Sequence, residues 1–250
     1  MVAGHSKFSN IKHKKEANDK KRSKEFTKLA KAIAAIARQC PDPDKNPRLK
    51  TAIHAAKSKN MPKENIDRAI KKASDKDCNI EMSYTGYGPH GIAFMIETIT
   101  DNSNRTVSEL RALFKKYGKG LSDLRFIFEK VYEFCFVSDL TEDEVIQLLM
   151  ESGAEKSLRD IKIVQNNVMS GNESNGVNKI TIEFENLDNF DSNFLNKFND
   201  YDQKIVYCPK EKVFLKNDEQ KSEIKNFLEI LEDNEDVQEI WNNLDMESFK

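Results

Sequence analysis

The sequence predicts an α+β multidomain protein: an N-terminal three-helix domain followed by two α+β sandwich domains. Three observations predict it. Charge is segregated along the chain. Residues 1–80 hold 21 Lys and Arg against 9 Asp and Glu, a net charge of +12, whereas the remaining 170 residues carry −14. Apolar residues recur at helical spacing as far as residue 74 and then give way to short apolar runs. Those runs alternate with helical stretches, but several of the joins read as hairpins, which favours sandwiches over a doubly wound parallel sheet.

Within the basic part, Phe26, Leu29, Ala30, Ile33, Ile36, Ala37 and Cys40 fall at i, i+3, i+4, i+7 spacing and predict a helix. Pro41-Asp42-Pro43 cannot continue it. Asn46-Pro47 reads as an N-cap and first helical position, and Leu49, Ala52, Ile53 and Ala56 give the next helix one apolar stripe. Asn60-Met61-Pro62 breaks that helix, and Ile66, Ala69, Ile70 and Ala73 define a third. The break between two short helices is compatible with a helix-turn-helix, although Ala-rich three-helix units commonly just pack.

The composition changes near Ile80. Ile92–Ile99 reads as a strand. Thr106-Val-Ser-Glu109 has the capping-box pattern and predicts the start of a helix with Leu110, Leu113 and Phe114 on one face, stopped at Gly118. A strand is expected to start at Phe126–Phe128, and the pattern then repeats in kind. A strand over 132–137 is followed by a helix over 142–152, capped by Thr141 and stopped by Gly153, and then by a further strand. Residues 165–178 are polar and Gly/Asn/Ser-rich and read as a mobile hairpin loop. Strand 179–185, helix 189–199, strand 203–208, helix 218–232 and a closing strand at Val237–Trp241 complete the reading. The tail is too short to build a core alone, and the strand–helix–strand unit at 92–131 leaves an apolar sheet face to cover. The two are therefore expected to dock. The expected domains are 1–80, a discontinuous 81–131 plus 208–250, and an inserted 132–207.

Most chemistry is argued against. Gly86-Tyr-Gly88-Pro-His-Gly91 matches G-x-G-x-x-G, but the dinucleotide fingerprint follows a strand and opens a helix, whereas this loop precedes a strand. Pro89 also removes one N–H that could hold a phosphate. The loop is read as a glycine-rich turn. A nucleotide-using enzyme is the least favoured reading, and no cofactor is expected. His5, His13, His54 and His90 do not pair with Cys or Glu at ligand spacing, so no metal site is expected. Cys40, Cys78, Cys135 and Cys208 lie at least 38 residues apart and read as reduced cytosolic thiols. The acidic run Leu231–Asp236 reads as a solvated helix end rather than a cation site. No apolar run approaches the ~18 residues that span a bilayer, and the N-terminus has no apolar signal core. A cytoplasmic protein with no membrane partner is expected, and the oligomeric state is left open.

The basic run carries the functional reading. Residues 4–28 hold nine Lys or Arg against three acids, with only Phe8, Ile11 and Phe26 large and apolar. The candidate nucleic-acid-binding residues are Lys7, Lys12, His13, Lys14, Lys15, Lys20, Lys21, Arg22, Lys24 and Lys28. As a helix, their charges spread around most of the circumference, which does not suit a membrane surface. Phosphate backbone is the natural partner, because each neutralised phosphate releases a counterion. The competing explanation is intramolecular: the basic part docked on the acidic part.

Long stretches of the chain resemble the YebC/PmpR family. They are Ala3-Gly-His-Ser-Lys-Phe-Ser-Asn-Ile-Lys-His-Lys12, Asn46-Pro-Arg-Leu-Lys50, Asn60-Met-Pro-Lys-Glu-Asn-Ile-Asp-Arg-Ala-Ile70, Tyr87-Gly-Pro-His-Gly91, Thr100-Asp-Asn-Ser-Asn-Arg-Thr106, Ser152-Gly-Ala-Glu155 and Leu231-Glu-Asp-Asn-Glu-Asp-Val-Gln238. The resemblance covers nearly the whole chain. It implies a helical N-terminal domain, two α+β domains with the third inserted into the second, and no cofactor or catalytic centre. It favours a DNA-binding transcriptional regulatory protein, with a ribosome-associated translational activator binding ribosomal RNA as the alternative. Phe8 stands where the family usually has Trp, and His90 where it has Gly, which puts the loop after Tyr87 in question.

Overall fold

The computed structural model describes residues 5–73, 80–166, 177–187 and 201–245, with side chains on the first helix given for Asp19 and from Lys21 onward. The chain divides into two compact units, residues 1–124 with 212–250, and residues 125–211.

The first unit opens with helix α1 (His5–Ala37). It starts well before the first apolar repeat, because its N-terminal half is helical without an apolar stripe to announce it. Helix α2 (Pro47–Ser58) begins as the sequence predicts: the Asn46 side chain accepts from the Leu49 N–H, and Pro47 occupies the first turn. Helix α3 (Lys63–Lys72) follows after four residues. Ile33, Leu49, Ala56, Met61, Ile66 and Ala69 form the buried seam of the three helices.

A four-stranded antiparallel sheet follows. Its strands are β1 (Ile80–Tyr87), β2 (Ala93–Thr100), β3 (Gly120–Leu121) and β8 (Val237–Asn242). They are ordered β3-β1-β2-β8. Strand β1 has no counterpart in the sequence reading, because its first half alternates exposed residues with only partial cover. Helix α4 (Ser103–Tyr117) joins β2 to β3. It begins at an Asn102 cap, whose side chain accepts from the Arg105 N–H. Thr106–Glu109 is thus no capping box: Thr106 lies inside the helix, buried, with its hydroxyl in use elsewhere.

The C-terminal helix α6 (Asp218–Glu232) and β8 complete this unit, so the tail does cover the exposed sheet face. Phe94, Phe114 and Phe227, from β2, α4 and α6, stack edge to face with centroids 5.2 to 6.1 Å apart, over Ile96, Leu110, Ile224 and Leu231.

The Gly86–Gly91 segment is a hairpin, as read from the sequence. Gly88 donates to the Ile92 carbonyl at 2.9 Å. His90 takes φ +56°, a left-handed conformation that favours glycine, and its Nε2 lies 2.8 Å from Glu223. Gly118 does end α4, in extended rather than left-handed backbone. Glycine is required there for a different reason: a Cβ would sit 2.1 Å from the Tyr87 carbonyl oxygen. Gly118→Ala is expected to cost about 1–3 kcal/mol by overpacking, read as a lowered urea midpoint. A midpoint equal to wild type would refute that account of the close approach.

The second unit is also a four-stranded sheet. Its strands are β4 (Phe128–Ser138), β5 (Leu158–Asn166), β6 (Val177–Phe184) and β7 (Tyr201–Pro209). They are ordered β5-β6-β4-β7, and all pairings are antiparallel. Helix α5 (Glu142–Ser152) covers one face. β4 is one strand where the sequence suggests two. α5 has the predicted Thr141 cap, which Glu144 completes as a capping box, and ends at Gly153 in the left-handed region. Phe134, Phe136, Ile180, Ile182 and Phe184 form the core beneath Val145 and Leu149. Helix 189–199 and most of the 165–178 loop lie outside the described residues.

Candidate nucleic-acid interface

The described cations of helix α1 are employed in two different ways. Lys21 and Arg22 are exposed, and the Arg22 guanidinium lies 5.2 Å over the Phe26 ring. Lys24, Lys28 and Lys31 recur at i, i+4, i+7 and share one face. All three reach the turn that joins α6 to β8. Lys24 Nζ pairs with Asp233 at 2.6 Å, Lys28 Nζ donates to the Glu232 carbonyl at 2.6 Å, and Lys31 Nζ donates to the Glu235 carbonyl at 3.3 Å and to Asp236 Oδ1 at 2.6 Å. The local cause lies at the end of α6. The last carbonyls of a helix have no partner within it and carry the negative end of its dipole. The helix has no basic residue in its last turn, so the cations come from α1.

Asp236 is the centre of this turn, and its side chain is only 4% exposed. Its carboxylate accepts from Lys31, from Arg105 at 2.9 Å and from the hydroxyls of Thr106 at 2.7 Å and Thr100 at 3.1 Å. The Asp236 N–H donates to Asn234 Oδ1, and Asn234 Nδ2 donates to Glu109. Burial alone would raise the Asp236 pKa, but the hydrogen bonds from Lys31, Arg105 and Thr106 outweigh it and hold the carboxyl at about 2. The same bond raises the pKa of Arg105. Burial lowers that of the Lys28 ammonium, against the counter-pull of Glu232, Asp233 and Glu239. Lys31, Asp101, Arg105, Glu109, Asn234, Glu235 and Asp236 line a polar cleft at this point.

Two of the stretches that carry the resemblance, Thr100–Thr106 and Leu231–Gln238, therefore meet at one buried carboxylate. The reading of Leu231–Asp236 as a solvated helix end fails for its last residue, because Asp236 is the acceptor that Lys31, Arg105 and two threonines require. The signal available in the sequence is the pair Thr100 and Thr106 with Arg105 beside them, but it names no partner.

The candidate residues are thus divided. Lys24 and Lys28 are engaged within the chain, whereas Lys21 and Arg22 face solvent. The side chains of Lys7, Lys12, His13, Lys14, Lys15 and Lys20 lie outside the described residues. Among the described side chains of α1, the intramolecular explanation accounts for Lys24, Lys28 and Lys31 but not for Lys21 and Arg22. Among the described residues no group of three or more His, Cys, Asp or Glu could hold a metal ion, and no helix is long and apolar enough to cross a membrane.

A basic three-helix unit clamped onto an α+β sheet, followed by a second α+β unit, defines the class. Residues 6–76 match the family model described as the TACO1/YebC protein N-terminal domain, and residues 79–244 match that for the TACO1/YebC second and third domain. The chain belongs to the TACO1/YebC family. It is 39% identical to a "Probable transcriptional regulatory protein" of Amoebophilus asiaticus, over 97% of this chain and 98% of that one. A similarly named protein of Rickettsia bellii is 34% identical, over 98% and 94% of the two chains. The crystal structure of a conserved hypothetical protein from Aquifex aeolicus superposes with a TM-score of 0.65 at 30% identity, covering 90% of each chain.

Proposed function

We propose that this protein is a nucleic-acid-binding regulator of gene expression, acting as a DNA-binding transcriptional regulator in the cytoplasm, and not an enzyme. The observation that carries the reading is the excess of Lys and Arg along α1, with Lys21 and Arg22 exposed, on a chain that is acidic beyond residue 80. A polyanion is the ligand such a surface fits, and the names of the relatives point the same way. Lys7, Lys12, His13, Lys14, Lys15, Lys20, Lys21 and Arg22 supply the phosphate contacts. Lys24 and Lys28 contribute mainly by fixing the helix to the acidic turn.

Replacing Lys12, Lys14, Lys15, Lys20, Lys21 and Arg22 by Gln is expected to flatten the salt dependence of duplex DNA binding, by about 0.9 in log–log slope for each phosphate no longer neutralised. An unchanged slope in a folded variant refutes the assignment. Crosslinking in cells then identifies the polymer: chromosomal DNA at α1 supports transcriptional control, whereas ribosomal RNA would move the protein to translation.

A further inference from the structure

We propose that the turn joining α2 to α3 is a second phosphate-contacting surface for nucleic acid, built from Lys57, Lys59 and Lys63 and continuous with Lys21 and Arg22 of α1. The inference rests on the nucleic-acid reading above and extends it to a site outside the N-terminal run.

Residues 45–72 hold nine Lys or Arg against only two acids, Glu64 and Asp67. Lys57, Lys59 and Lys63 are all exposed. Among the described residues neither Lys57 nor Lys63 has an ion-pair partner, and Lys59 has one, Glu25 of α1 at 2.9 Å. That single pair locates the surface. Glu25 stands one helical turn beyond Lys21 and Arg22, so the turn lies alongside the exposed basic face of α1.

The turn is also rigid. The Asn60 N–H donates to the Lys57 carbonyl at 2.9 Å and the Met61 N–H to the Ala56 carbonyl at 3.0 Å, with Asn60 in the left-handed region at φ +59°. This is the double bond pattern that closes a helix end, and Met61 buries itself against the three-helix seam beneath it. Pro62 then holds the start of α3. The three lysines are therefore presented by a fixed backbone, so little loop ordering opposes binding. No aromatic side chain accompanies them at the turn, which suits backbone phosphate rather than stacked bases.

The test uses the full-length protein, with a short duplex DNA and an RNA stem-loop of equal phosphate count as probes, titrated against salt. Lys57→Gln, Lys59→Gln and Lys63→Gln together are expected to lower the slope on duplex DNA by about 2–3, with unchanged helical circular dichroism. If that variant does not fold, Ser58→Lys decides the matter: a cation added between Lys57 and Lys59 is expected to raise the slope by roughly 0.9. Salt-dependent binding by wild type, with slopes unmoved by the deciding variant, overturns this surface and leaves the α1 reading standing. Absence of salt-dependent binding by wild type to either probe overturns both. A slope that falls on the RNA probe alone supports the surface and reassigns the polymer.

Discussion

Ending the chain after Lys216 is expected to unfold the first unit while leaving the second intact. The truncation removes α6 and β8, and with them Ile224, Phe227, Leu231, Val237 and Leu244, all buried in the core over β2 and α4. Each large-to-small loss of this kind costs about 2–5 kcal/mol, whereas a domain's whole stability is about 5–15 kcal/mol. Five such losses, about 10–25 kcal/mol together, match or exceed it. Phe94 and Phe114 would lose the ring that lies 5.2 Å from each, and β2 its pairing with β8. Residues 125–211 keep their own core, including Phe134, Ile182 and Phe184. Hydrogen exchange reads both outcomes in one sample. Native-like protection over Ala93–Thr100 in the truncated chain would show that the tail is dispensable.

Asp236→Asn is expected to produce the largest effect of any single polar substitution, about 3 kcal/mol, because it removes the nearly buried carboxylate on which Lys31 and Arg105 converge. The pH dependence has a definite sign. A carboxyl held at about 2 in the folded chain, against an ordinary 3.8, contributes stability that is present above pH ~4 and is lost as pH falls through 2. The shift corresponds to about 2 kcal/mol. Urea unfolding followed from pH 7 down to pH 2 should therefore show a decline in wild type that is smaller in the Asn variant. Parallel curves for the two proteins would show that Asp236 is not the group responsible.

The fold is legible in the sequence where the chemistry is local. Asn46-Pro47, the Thr141 cap, Gly153 and the bounds of 218–232 all depend on residues within a few positions of one another, and the structure has them as read. It is less legible where a partner lies far along the chain. Thr106 looks like a cap by spacing, yet its hydroxyl serves Asp236, 130 residues away. Strand β1 is held by β2 and β3 on its two sides, and nothing in Glu81 or Ser83 announces it. The basic run reads as one surface because charge spreads around its circumference. Only the position of the acidic turn divides Lys24 and Lys28 from Lys21 and Arg22.

The clamp between α1 and the acidic turn also orders events during synthesis. Lys31 and Asp236 are separated by 205 residues. At about 5–20 residues per second, a ribosome makes the basic helix roughly 10–40 s before it makes the carboxylate that will hold it. For that interval Lys24, Lys28 and Lys31 have none of these acceptors while they stand beside the ribosome's own RNA. The turn that withdraws these lysines from competition is made long after them. Synthesis of that turn is thus the step that sets how much of this part of α1 remains available to any other polyanion.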